Sequence, residues 1–120
     1  MYNMMTETAA MDMHQKLTQE LRRGVLVLAT LSQLEDAKYG YALIDELSRR
    51  GLDIDQGTLY PLLRRLEEQG LLESEWNVEG SRPRRYYKIS RAGEELLQIL
   101  TDDWLELVKV VKDLLLTDKE

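Results

Sequence analysis

The stretch GTLYPLLRRLEEQGLL, residues 57–72, decides how this chain is read. Leu59, Leu62, Leu63 and Leu66 recur at i, i+3, i+4 and i+7, the apolar stripe of a short amphipathic helix. Gly70 follows the last polar turn, where a glycine commonly stops a helix. Two starts are open. With Thr58 as N-cap, Pro61 falls at the third helical position, where its missing N–H costs nothing. With Asp55 as N-cap, Pro61 lies one turn inside and bends the helix. Either way Gln56, Thr58, Tyr60 and Arg64 stay off the leucine stripe. A hydroxyl, a phenol and a guanidinium near an exposed helix N-terminus suit phosphates and base edges. Taken alone, the same spacing also describes a core helix with a solvated side.

Beyond Gly70 the period changes from 3.6 to 2. Leu72, Ser74, Trp76 and Val78 alternate with Glu73, Glu75, Asn77 and Glu79, which predicts a half-buried strand. Residues 79–83, EGSRP, are turn chemistry. Arg84-Arg85-Tyr86-Tyr87-Lys88-Ile89 suits a returning strand. Upstream, Tyr41 to Arg50 directs Leu43, Ile44 and Leu47 inward and Gly51 closes it. Leu52 to Gln56 is a turn anchored by Leu52 and Ile54. The sum is a helix-turn-helix with a β-hairpin wing. In that motif the first helix lies across the DNA backbone and the second enters the major groove. Tyr39 and Tyr41, at the start of the first helix, are positioned to give hydroxyls to phosphates, with burial in the core as the alternative for each.

GTLYPLLRRLEEQGLLESEW followed by RPRRYYKISRAGEELL resembles the PadR-type winged-helix transcriptional regulators. Tyr39-Gly40-Tyr41 fits the pattern before that family's second helix, although His is commoner where Tyr39 stands. The resemblance spans roughly residues 20 to 116, and a single long helix after the wing is similar to the shorter subgroup. It implies a dimeric bacterial DNA-binding regulator, usually a repressor.

Composition bounds the alternatives. One domain with a modest core fits the length of 120 residues. The chain has no Cys, which excludes disulfides, thiolate metal sites and thiol catalysis. His14 is the only His, so a His-based catalytic pair or a multi-His metal site has no raw material. Neither a metal nor a cofactor is expected, and no enzyme. No apolar run reaches the roughly 20 residues that span a membrane, and the N-terminus lacks a signal-peptide pattern. A soluble cytoplasmic protein is expected. The net charge of −6 alone argues against nucleic acid. Its distribution argues the other way: residues 81–93 hold Arg82, Arg84, Arg85, Lys88 and Arg91 and no acid, so they carry +5 and the remainder −11. Screening over about 8–10 Å lets such an edge act locally.

Two further helices frame the motif. The first confident one runs from Lys16 to about Leu34, with Leu17, Leu21, Val25, Leu28 and Leu31 on one stripe widened by Leu26, Val27 and Ala29. Gly24 inside it implies close approach of another helix or has no packing reason. The last is capped by Ser90, with Glu94 and Glu95 near its positive end. There Leu97, Leu100, Trp104, Leu107, Val111 and Leu114 form a heptad seam. That helix runs about 25 residues, roughly 37 Å, more than a small winged body covers. Left bare it is an exposed apolar patch, so a two-fold dimer is expected, with packing inside one subunit as the alternative.

The expectation is therefore a mainly α-helical protein with a small β-hairpin, a winged helix-turn-helix plus a long C-terminal dimerisation helix. Residues 1–15 form a flexible arm, 16–90 the DNA-binding domain, 91–116 the dimerisation helix and 117–120 a tail. A homodimer binds a palindromic double-stranded DNA operator through recognition helix 57–69 and basic wing 77–88, using Gln56, Thr58, Tyr60 and Arg64 on the helix. Arg82, Arg84, Arg85 and Lys88 act from the wing. The rival is a winged-helix protein-interaction module that no longer binds DNA, in keeping with the overall acidity and with Glu67 and Glu68 on the recognition helix. Trp104, flanked by Leu100 and Leu107, is also a candidate wall for a planar aromatic effector, with Met11 and Met13 folding over it from the arm. In the small drug-responsive members of the family a tryptophan in this helix is similar in role; simple filling of the dimer core is the alternative.

Overall fold

Thr6 starts the first helix by accepting a hydrogen bond from the Ala9 N–H at 3.0 Å through its hydroxyl. The computed structural model describes residues 6–116. In chain order it holds α1 (Glu7–Ser32), β1 (Lys38–Tyr39), α2 (Gly40–Arg49), α3 (Gln56–Glu68), β2 (Leu72–Asn77), β3 (Arg84–Ile89) and α4 (Arg91–Leu116). The first helix thus begins at Glu7, not Lys16. Met11, Met13 and the exposed His14 lie on it rather than on an arm. Residues 1–5 of the expected arm, and the tail at 117–120, lie outside the described residues.

Both helices of the helix-turn-helix are followed by a left-handed glycine. Gly51 has φ 98°, with Leu52 N–H bonded to Leu47 O at 2.8 Å. Gly70 has φ 80°, with Leu71 N–H bonded to Leu66 O at 2.9 Å. These are Schellman ends, which satisfy orphan carbonyls while turning the chain sharply. Asp55, not Thr58, caps α3: its carboxylate accepts from Thr58 N–H at 2.8 Å. Pro61 therefore stands inside the helix and removes one bond from its ladder.

The core joins the predicted stripes. Leu59, Leu62, Leu63 and Leu66 of α3 meet Leu43 and Leu47 of α2, Leu31 and Leu34 from the end of α1, and Leu72, Tyr87 and Ile89 of the sheet. Arg22 on α1 donates to the Asp53 carbonyl, tying α1 to the turn before α3. The sheet is three-stranded and antiparallel in the order β1-β3-β2. Its third strand was not anticipated; two residues are too short to carry a period. Burial fades along β2: Leu72 is buried and Ser74 half-buried, whereas Trp76 and Val78 are 62% and 72% exposed. The expected half-buried strand holds only at its base, because no second layer stands behind the hairpin tip.

Ser90 joins the wing to α4. Its buried hydroxyl accepts from Gly93 N–H at 3.0 Å and donates to Gly70 O at 2.6 Å. Gly93 is buried against this corner; a Cβ there would lie 2.2 Å from the Leu71 carbonyl oxygen and 2.7 Å from an Ile89 side-chain carbon. Gly93→Ala is expected to destabilise the fold by about 1–3 kcal/mol through overpacking. Urea unfolding measures it, and an unchanged midpoint would remove this contact from the account. Gly24 is different: among the described residues nothing lies within 4 Å of a Cβ there, so no described helix explains it.

Candidate nucleic-acid interface

The two sides of β3 divide its cations. Side chains alternate across a strand. Tyr87 and Ile89 are buried, so Arg85 leaves on their side, and Arg84, Tyr86 and Lys88 leave on the other. Arg85 consequently meets α3. Its guanidinium donates to Glu67 Oε1 at 2.8 Å, and its Nε donates to Ser74 Oγ at 3.0 Å. The Ser74 hydroxyl donates in turn to the second Glu67 oxygen. The guanidinium carbon lies 5.5 Å from the centre of the Tyr87 ring and 5.8 Å from that of Trp76. Burial pushes the Tyr87 phenol up, against the pull of Arg85. Arg85 is thus half-buried in an ion pair, unlike the free wing cation expected from its sequence position.

Arg84 and Arg82 are exposed. The Arg84 guanidinium lies 4.5 Å over the ring of Tyr39, which is 5.5 Å from that of Tyr86. Tyr39 is therefore a half-buried sheet residue, while Tyr41 is 61% exposed at the start of α2. Lys88 stands opposite Glu73 in the β2–β3 register, toward the base of the hairpin. It is not brought together with the other cations. Arg49 and Arg50 at the end of α2 are engaged by Asp45 and Glu46. The hydrogen bond from Arg50 holds the Glu46 carboxyl below its ordinary range.

What the fold does assemble is a groove of about 370 Å³ between α3 and the wing. Tyr60 and Arg64 line one wall; Trp76, Pro83, Arg84, Arg85 and Tyr87 line the other; Tyr39 and Gly40 close one end. Gly40 is obligatory there, since a Cβ would lie 2.0 Å from a Tyr60 ring carbon. Gln56, Thr58 and Arg64 are exposed and Tyr60 half-buried. The Asp55 cap changes one expectation. A carboxylate already occupies the positive end of α3, so side chains rather than free backbone amides face outward there. Sequence reasoning missed Trp76 and Ser74 as groove and bridge residues. The period-2 pattern carried the signal, since both share the side of Arg85.

Away from the groove, α4 packs against α1 near its start, where Leu97 joins the core. Leu97, expected in a dimer seam, is half-buried against the core of its own subunit. Leu100 is half-buried, and beyond it Trp104 is 41%, Leu107 57%, Val111 45% and Leu114 74% exposed. On α1, Leu17 and Leu21 are exposed while Leu31 on the same stripe is buried.

Residues 27–99, from the end of α1 to the first turns of α4, match the family model described as the transcriptional regulator PadR-like family. The chain belongs to this family. Transcriptional regulator Rv3488 of Mycobacterium tuberculosis is 39% identical over 97 residues, which are 80% of this chain and 88% of that protein. The crystal structure of a PadR family transcriptional regulator from Eggerthella lenta has a TM-score of 0.86 at 46% identity, covering 92% of this chain and 99% of the other. A PadR-like transcriptional regulator from Bacillus cereus has a TM-score of 0.72 at 28% identity, covering 82% and 99%. The PadR-like fold is thus the expected winged helix-turn-helix. This PadR-like chain is a DNA-binding regulator of transcription, and its family and relatives are regulators, not enzymes. Among the described residues no helix is long and apolar enough to cross a membrane.

Proposed function

We propose that this PadR-like regulator is a bacterial, cytoplasmic repressor that binds a palindromic operator as a homodimer. The observation that carries the DNA contact is the groove that Arg64 of α3 and Arg84 of the wing line together. The outward side of α3, with the exposed Gln56, Thr58 and Arg64 and the half-buried Tyr60, reads bases in the major groove. Arg82 and Arg84 hold phosphate or enter the minor groove; Tyr41 adds a hydroxyl from α2. Arg85, paired with Glu67, leaves the contact set; Lys88, four residues from Arg84 toward the base of the hairpin, takes a lesser part. The same pairing weakens the rival of a DNA-blind interaction module, because Glu67 presents no free charge on the recognition helix.

The test is selection of duplexes from a randomised pool by the unaltered protein, followed by Arg64→Ala. A lost bidentate base contact costs about 1–3 kcal/mol at the bases it reads. Arg64→Ala is expected to lower the ratio of selected to random binding. An equal fall on both would make Arg64 a phosphate contact.

The dimer uses the apolar side of α4 (residues 91–116) past Leu100, with α1 of the mate as a second layer. Support comes from Trp104, Leu107, Val111 and Leu114, which remain exposed among the described residues. A weaker part of the proposal is an effector site. Trp104, beside Leu100 and Leu107, offers an indole face to a planar aromatic molecule at the two-fold axis. Met11 and Met13, exposed on α1, are available to it from the helix rather than from a folding arm. Titration with planar aromatic cations in a Trp76→Phe background is expected to quench Trp104 fluorescence saturably. Quenching that persists in Trp104→Leu with Trp76 kept would leave Trp104 as a packing residue.

A further inference from the structure

The geometry points to Arg85 as the positioning residue that sets the angle between wing and recognition helix, with Glu67 and Ser74 as its anchors. The inference rests on the DNA-reading role of α3. The hairpin leaves α3 through a tight turn at Gly70, which has φ 80°. The base of the hairpin is held by Leu72, Tyr87 and Ile89 in the core and by the pairing of β1 with β3, while toward its tip Trp76 is exposed. Above that base, the polar tie from the hairpin to α3 is the Glu67–Ser74–Arg85 bridge, which takes one side chain from each of α3, β2 and β3. Trp76 and Tyr87 flank the guanidinium and limit its rotation. The pair is partly withdrawn from water, with side chains 36% and 26% exposed, so it is held more firmly than an open surface pair. By contrast Arg82 and Arg84 make no ion pair among the described residues.

This role makes a prediction of unusual sign. A free glutamate on a recognition helix repels DNA, so its removal tightens every duplex. A brace does the reverse for the duplex that requires helix and wing together. Glu67→Ala is therefore expected to weaken binding to the selected duplex about tenfold, about 1.4 kcal/mol, with random duplex unchanged or tighter. Arg85→Ala should do the same without altering the log–log salt slope. Arg85→Lys retains the charge but lacks the planar fork that bridges Glu67 and Ser74 at once, so it should lose most of the same ratio. Without DNA, hydrogen exchange in residues 72–77 and 84–89 should quicken in Glu67→Ala while α1 and α2 keep their protection.

Tighter binding of Glu67→Ala to the selected duplex would overturn the inference. So would full specificity in Arg85→Lys, or a fall of about 0.9 in the salt slope of Arg85→Ala, the mark of a phosphate contact. If the unaltered protein enriches no duplex, the DNA-reading role itself fails. Exchange then decides the brace alone: unchanged rates in the hairpin overturn it, and quickened rates uphold it.

Discussion

Leu107→Asp combined with Val111→Asp is expected to separate the protomers and abolish operator binding together. Both residues are on the bare side of α4, 57% and 45% exposed in one chain. Neither belongs to the subunit core, which ends near Leu97. In a two-fold interface each protomer would contribute both carboxylates to one apolar layer. Burying unpaired charge there costs several kcal/mol, enough to dissolve a dimer at micromolar concentration. A lone head then faces one half-site without its neighbour. Sedimentation and fluorescence anisotropy measure the two losses, and circular dichroism separates dissociation from unfolding. A soluble, folded monomer of the unaltered protein at micromolar concentration would contradict the dimer.

The second large effect belongs to the wing. Arg82→Ala with Arg84→Ala removes two exposed cations that have no ion pair among the described residues. Each phosphate contact contributes about 0.9 to the salt slope, so the slope should fall by about 1.8. A charge-assisted hydrogen bond is worth about 1.5–3 kcal/mol, so affinity should fall about a hundredfold or more. The loss should be similar on selected and random duplex, because phosphates carry no sequence. Lys88→Ala should do much less, with Glu73 opposite it across the strand pair. An unchanged slope in the double variant would end the wing assignment.

The fold was legible because its signals were long and redundant. The leucines of α3 and the two glycine stops stood in the sequence as they stand in the structure. So did the Ser90 cap and the long helix that follows it. The arginines were harder. Arg82, Arg84, Arg85 and Lys88 read as one +5 cluster when charge is summed along the chain. A strand does not sum charge; it deals side chains alternately to two sides. Counting by two from Tyr87 and Ile89 puts Arg85 inward, and only the partner, Glu67, needed the structure. The start of α3 was ambiguous for a different reason. Asp55 and Thr58 are both good caps, and nothing local to the sequence chooses between them. The start of α1 was missed because the polar first turns carry no stripe, while Thr6 offered a cap that the absence of period concealed. The strand β1 exists only through its pairing with β3, a partner far along the chain.

The buried hydroxyl of Ser90 has a mechanical meaning. It bonds Gly70, just past α3, and Gly93, in the first turn of α4, so the two helices are riveted at one point with no linker between them. From that rivet α4 extends 26 residues, about 39 Å. A tilt of about 5° over that length moves the far end by about 3.4 Å, one step of the DNA ladder. In the proposed dimer, small adjustments where two such levers meet would therefore tilt the reading heads. The gauge of half-sites would be set at the distant end of α4, among side chains far from any base.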